Sequence, residues 1–226
     1  MVKAYCKQCS FKSLATAKLT DNELEILESG CAEVSFKTGE IIIKQNSLSN
    51  SITYIKSGLV KIHINGPVKE KIIKIIKAPK YLCLNSNFSE KINHFSATAL
   101  EDTIVCFLNL ESFKKFIYEN GDFAYQIILD MSKNEIKDFH SCLNNAQKQT
   151  AGRIAEAILF FANEIYNSKN FTLPISRQDL GDLVGTTRES VSRILTDFHN
   201  DKIISLEGKI ISILNEKLLN DISEKG

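Results

Sequence analysis

The stretch from Ser176 to Asn200, SRQDLGDLVGTTRESVSRILTDFHN, restricts what this chain can fold into more than any other. Ser176, with Asp179 three residues on, is a capping-box pair that starts a helix. Leu180, Leu183 and Val184 give that helix one apolar face, and Gly185 suits the tight turn that ends it. Thr186 and Glu189 form a second T-x-x-E pair, which predicts a second helix opening there. Val191, Ile194, Leu195 and Phe198 recur at i, i+3, i+4, i+7 and bury one side of it. Glu189, Ser192, Arg193 and Thr196 repeat that spacing on the opposite side. Helix, short turn, then a helix with a polar outer face is helix-turn-helix geometry. KIISLEGKIISIL follows it, two strand-like runs around Glu207, Gly208 and Lys209 that add a hairpin wing.

The outer face carries chemistry suited to base edges. Arg193 can donate bidentately to guanine, Glu189 can accept from the cytosine amine, and Ser192 suits base or phosphate. Arg188 and Arg177, just off that face, can pair with phosphates and set register. Thr187 completes the candidate DNA-binding set. A solvated helix face laced by a local Glu189–Arg193 pair accounts for the same residues; the wing argues for the interface. From Gln149 onward nine Lys and Arg stand against eleven Asp and Glu. Nonspecific attraction is therefore weak, and base contacts with a locally positive face must carry more of any DNA affinity.

Upstream the pattern changes. From about Leu24 to Leu110, β-branched runs such as EIIIKQ, SITYIKSG, LVKIHING, EKIIKIIKAP, HFSATAL and TIVCFLNL alternate with Gly, Pro, Asn or Ser, which predicts a small antiparallel roll or barrel. A Pro-free helical stretch runs from about Glu111 to Gln149. In it Ile136, Phe139, Leu143 and Ala146 keep heptad-like spacing, preceded by Ile127 and Met131 at i, i+4. That stripe fits a dimer seam or packing on the chain's own roll. Ile154, Ile158, Phe161 and Ile165 mark one buried face of a further helix, which FTLPIS stops. The expected class is α+β: an N-terminal antiparallel β-roll, a long dimerisation helix and a C-terminal winged helix-turn-helix. The divisions are 1–20 for an N-terminal cysteine-containing segment, 21–115 for the roll, 116–149 for the helix and 150–226 for the winged helix.

Formal charge is +1 over 226 residues, so no global field recruits nucleic acid or membrane. No apolar run is long enough to span a bilayer, and no signal segment opens the chain. A cytoplasmic protein with no membrane partner is expected, whose six cysteines stay reduced without a disulfide framework. No nucleophile–base pair, Gly-rich phosphate loop or metal-ligand helix points to an enzyme.

The motif ISRQDLGDLVGTTRESVSRIL, with DKIISLEGKIISIL behind it, closely resembles the C-terminal domain of the Crp–Fnr family of bacterial transcription regulators. FKTGEIIIKQNSLSNSITYIKSGLVKIH and SATALEDTIVCFL are similar to that family's cyclic-nucleotide-binding-like effector roll, so the resemblance runs along essentially the whole chain. It implies a homodimer that binds double-stranded DNA and acts with RNA polymerase. E-x-x-S-R, here Glu189, Ser192 and Arg193, resembles the oxygen-responsive Fnr branch and implies a palindromic TTGA-like site. Arg188 before Glu189 is closer to the cyclic-AMP-responsive branch, which leaves the outer bases of the half-site open.

Against the family's phosphate cassette, the window YLCLNSNFSEKINHFSATA is degenerate: Cys83, Leu84 and Phe95 stand where Gly, Glu and Arg would be, and Ser96 alone is kept. A phosphate buried without its cation carries an uncompensated charge, so the effector is not expected to be cyclic AMP. The oxygen-sensing branch implies an iron–sulfur cluster on C-x2-C-x5-C plus a fourth cysteine in the roll. Cys6 and Cys9 match the first two and Cys106 the fourth, while the third falls on Ala15. The same residues also fit a zinc site, a redox pair, a frayed terminus and, for Cys106, plain core packing. Cys31, Cys83 and Cys142 read as packing residues, and the four histidines show no ligand spacing. The leading reading is a sequence-specific transcription regulator with an unknown effector. The alternative is a redox or small-molecule sensor whose winged helix mediates protein contacts.

Overall fold

The computed structural model describes residues 2–3, 6–82 and 84–226, in two compact units, residues 1–135 and 136–226. The first unit opens with β1 (Val2–Lys3), a 3-10 turn (Thr16–Lys18) and α1 (Asp21–Ser29). Strands β2 (Cys31–Phe36), β3 (Ile41–Ile43), β4 (Ser51–Ser57), β5 (Leu59–Asn65), β6 (Glu70–Lys77) and β7 (Lys80–Leu82) follow. After α2 (Leu84–Phe88) come β8 (Ser96–Ala99), β9 (Thr103–Asn109) and α3 (Leu110–Glu119). Next is α4 (Gly121–Gln147).

All strand pairs are antiparallel, in a five-stranded sheet ordered β1-β2-β9-β4-β7 and a four-stranded sheet ordered β3-β8-β5-β6. Ile43, Ile55, Val60, Ile62, Leu82 and Ala97 from both sheets form one buried cluster, with Phe95 packed against it. The other face of the five-stranded sheet is covered too. There Ile52, Tyr54, Cys106 and Leu108 join Leu24, Leu27, Phe113, Phe116, Phe123 and Ile127 from the helices. Two covered faces explain why β4 and β9 read as near-continuous apolar runs. The β-roll expected from the sequence is present.

Two expectations are corrected here. The segment from Leu24 to Ser29 is not strand-like but part of a helix that starts at Asp21, because Thr20 and Glu23 form a capping box. The helical stretch from Glu111 is broken at Asn120, whose side-chain oxygen accepts from the Phe123 N–H while its amide donates to Lys18 O and Glu23. One asparagine thus ends α3, opens α4 and ties both to α1.

The second unit holds the end of α4, then α5 (Thr150–Phe160), a π-helical turn (Phe161–Tyr166) and β10 (Asn170–Thr172). It continues through α6 (Arg177–Val184), α7 (Arg188–Asn200), the hairpin β11 (Ile204–Glu207) and β12 (Ile210–Ile213), and α8 (Glu216–Lys225). Its sheet is ordered β10-β12-β11. Ile154, Ile158, Phe161 and Ile165 are buried as their spacing requires. Among the described residues, no helix is long and apolar enough to cross a membrane.

Candidate DNA-binding face and cysteine site

Ser176 caps α6 by accepting from the Asp179 N–H at 3.0 Å, and Asp179 accepts in return from the Ser176 N–H at 3.1 Å. Gly185 ends α6 at φ 73°, where a side chain is disfavoured. The Thr186 N–H then donates to Gly181 O at 2.8 Å. A Cβ at Gly181 would stand 2.9 Å from Thr186 O, so this glycine sets how closely the turn approaches α6. The cap of the second helix is a single bond, not a box, and falls one residue later than the sequence suggests. Thr187, not Thr186, is the cap, and it accepts from the Ser190 N–H at 3.2 Å. The reason is that Gly181 O has already claimed the Thr186 N–H and keeps residue 186 in the turn.

Val191, Ile194, Leu195 and Phe198 are buried. Thr187, Arg188, Glu189, Arg193 and Thr196 are exposed around the opposite side of α7, and Ser192 is half-buried between them. The Glu189 carboxylate accepts from its own backbone N–H and from Thr187, which holds it below the usual carboxylate range. In this state it is folded onto the helix start. Arg177, Arg188 and Lys209, with the wing residue Gly208, line a cavity of about 480 Å³ beside α7. Three cations around one concavity fit a phosphate-bearing ligand. Lys209, which the sequence reading did not single out, is carried there by the wing turn.

In the roll, Phe95, at the position where the resemblance would place an arginine, packs against the inter-sheet core. Ser96 is buried, and its hydroxyl accepts from the Gln45 N–H at 3.0 Å. Leu84 is buried at the start of α2. Cys83 lies outside the described residues.

Two family models match the chain, the cyclic nucleotide-binding domain over residues 33–120 and the Crp-like helix-turn-helix domain over 152–222. The chain belongs to the Crp–Fnr family. The transcriptional activator protein anr of Pseudomonas aeruginosa is 29% identical over 94% of this chain and 90% of its own. The fumarate and nitrate reduction regulatory protein of Vibrio cholerae is 27% identical over 97% of this chain and 90% of its own. The solved structure of FixK2 from Bradyrhizobium japonicum superposes with a TM-score of 0.77 at 22% identity, covering 85% of this chain and 96% of that one, and so shares the fold. As a Crp–Fnr protein the chain is a transcription regulator with a DNA-binding helix-turn-helix, and its named relatives are regulators too.

The family's cysteine segment is here docked, not frayed. From Cys6 onward it crosses the helix-side face of the five-stranded sheet. The Cys6 N–H donates to Glu28 at 3.0 Å, Tyr54 donates to Phe11 O at 2.5 Å, and Tyr81 meets Ser13 and Thr16 at 2.9 Å. The Cys9 N–H donates to Cys6 O, folding the C-x-x-C into a tight turn. Cys106 on β9 lies opposite Tyr54 and Glu33.

Cys31 corrects an expectation. It is not an isolated packing residue: it packs against the buried cluster that holds Cys6 and Cys106, and its thiol couples to both. Cys106 and Cys6 beside it, together with burial, push the Cys31 thiol well above the usual thiol range, and Cys31 in turn pulls Cys6 and Cys106 below it. Cys142 is exposed on α4 and does not pack. Ala15 is fully buried in the same core cluster as Cys6 and Cys106. Among the described residues, no three His, Cys, Asp or Glu side chains already stand arranged around one ion.

Proposed function

We propose that this regulator is a cytoplasmic homodimer that reads a palindromic TTGA-like site with one α7 per half-site and acts with RNA polymerase. The observation that carries the reading is the exposed polar face of α7, Thr187, Arg188, Glu189, Ser192 and Arg193, backed by four buried apolar residues. Arg193 donates to a half-site guanine, Glu189 swings out to a cytosine, and Arg177 and Arg188 hold phosphates. The seam is the outer stripe of α4, where Ile128, Met131, Ile136, Phe139 and Leu143 are exposed, Phe139 by 65%. Ile127 does not belong to it, being buried with Phe123 in the roll's core. A second copy would cover the stripe and set two α7 helices about one DNA turn, roughly 34 Å, apart.

The effector is not cyclic AMP on this reading, because the position where the resemblance would place an arginine holds Phe95, packed on the inter-sheet core. The N-terminal segment is the sensor, and its thiols fit the soft-ligand chemistry of an iron–sulfur cluster. The cluster would give the regulator sensitivity to oxidants; the chain's part is to hold the thiols, with Tyr54 and Tyr81 fastening the segment that carries them. The test is DNA binding by fluorescence anisotropy on symmetric TTGA-containing and scrambled duplexes. Arg193→Ala should cost about 1–3 kcal/mol on the first and relax preference at one guanine. Unchanged discrimination would remove α7 from the interface.

A further inference from the structure

The cysteine pattern of the oxygen-responsive branch has a gap at residue 15, and that gap is filled in space by another residue. We propose that Cys31 is the missing thiolate, so that Cys6, Cys9, Cys31 and Cys106 together hold an iron–sulfur cluster on the helix-side face of the five-stranded sheet. The inference rests on the sensor reading above and names its ligands.

The sheet register places Cys31. Residues 31 and 33 of β2 pair with 108 and 106 of β9, so Cys31 and Cys106 are diagonal neighbours on one face. Cys6 reaches the same point because its N–H is tied to Glu28, near the end of α1 and just ahead of β2. The C-x-x-C turn keeps Cys9 one step away. Cys6 and Cys106 lie in one buried cluster, and Cys31 packs against that cluster. Residue 15 offers no alternative, since Ala15 is fully buried and a larger side chain there meets a filled core.

Ligation needs no oxidant. Each thiol gives up its proton as its Sγ bonds to iron, and the iron, half ferrous and half ferric, and the sulfide are supplied as ions, so no electron has to be removed. A cluster with four thiolates carries net negative charge. Lys12 and Lys56 stand near the cysteines and offset it, against Glu28 and Glu33. Lys56 is itself held 2.7 Å from Glu33.

The experiment loads the full chain without oxygen with equal amounts of ferrous and ferric iron and with sulfide, then counts iron and acid-labile sulfide and records the visible charge-transfer band. Wild type should hold about four of each per chain. Cys31→Ser and Cys106→Ser should each lose at least tenfold of that content, while Cys142→Ser keeps it. Full content in Cys31→Ser would overturn the assignment of Cys31 and leave the cluster reading standing. A colourless wild type, or one zinc in place of iron, would overturn the cluster reading and the inference with it. Should Cys31→Ser fail to fold by circular dichroism, alkylation of wild type decides. Cys31 should label at least tenfold more slowly in loaded protein than in protein stripped by chelator, with Cys142 unchanged. Equal labelling of Cys31 in the two states would overturn the proposal.

Discussion

The polar face of α7 and the cysteine site are built from different lengths of chain. Thr187, Arg188, Glu189, Ser192 and Arg193 share a face because a helix returns to the same side every three or four residues. Cys6, Cys31 and Cys106 meet because a docked N-terminal segment, β2 and β9 converge. The first arrangement needs a capped helix and a buried stripe, both local. The second needs the whole first unit folded, including Tyr54 and Tyr81, which fasten the segment above the sheet. Damage to the packing of residues 1–135 should therefore dismantle the cysteine site and leave the α7 face intact.

Phe113→Ala tests that contrast most severely. Phe113 is fully buried among Tyr81, Phe88 and Phe123, with ring centroids 5.1 Å from Phe123 and 5.6 Å from Tyr81. Its loss should cost about 3–5 kcal/mol. Hydrogen exchange should show protection falling through β4, β9 and α3 but not through α6 and α7. Equal loss in both units would mean that the two regions do not stand apart as argued.

Phe139→Asp probes how the units are used together. A carboxylate on the proposed seam should yield monomers in sedimentation and weaken binding to a symmetric site by about 100-fold or more, since half-site contacts no longer add. A variant that stays dimeric would place the seam elsewhere. Gly181→Ala is a local test: its Cβ meets Thr186 O at 2.9 Å, so the turn must shift, at a cost of about 1–3 kcal/mol in thermal unfolding of the second unit. A neutral result would show the turn to be slack. Ser176→Ala removes one cap and should cost about 1 kcal/mol by the same measurement. The smallest expected effect is none at all. Calorimetry with cyclic AMP should show no binding in the micromolar range, because the position where the resemblance would place an arginine holds Phe95, packed on the inter-sheet core; micromolar affinity would put a different cation in that role.

What could be read without coordinates was local. The α7 face, its buried stripe, the wing and the strands β3 to β6, β8 and β9 follow from spacing and turn residues acting over a few positions. The box at Thr20 and Glu23 was equally readable, since T-x-x-E stands in the sequence, but the β-branched runs around it drew the segment into the roll. The cap at Thr187 was misplaced by one residue because two threonines offer the same chemistry. Only the Gly181 carbonyl, reached across the turn, chooses between them.

Sequence alone therefore determined the winged helix-turn-helix and the roll, because periodicity, caps and turn residues are properties of neighbouring positions. Tertiary structure alone decided that Asn120 divides one long helix into two, that Ile127 belongs to the roll and not to the outer stripe of α4, and that Cys31 joins Cys6 and Cys106. Those outcomes depend on strand register and on which face of a sheet a helix covers. No spacing along the chain encodes either, because the partners are brought together only when distant segments pair.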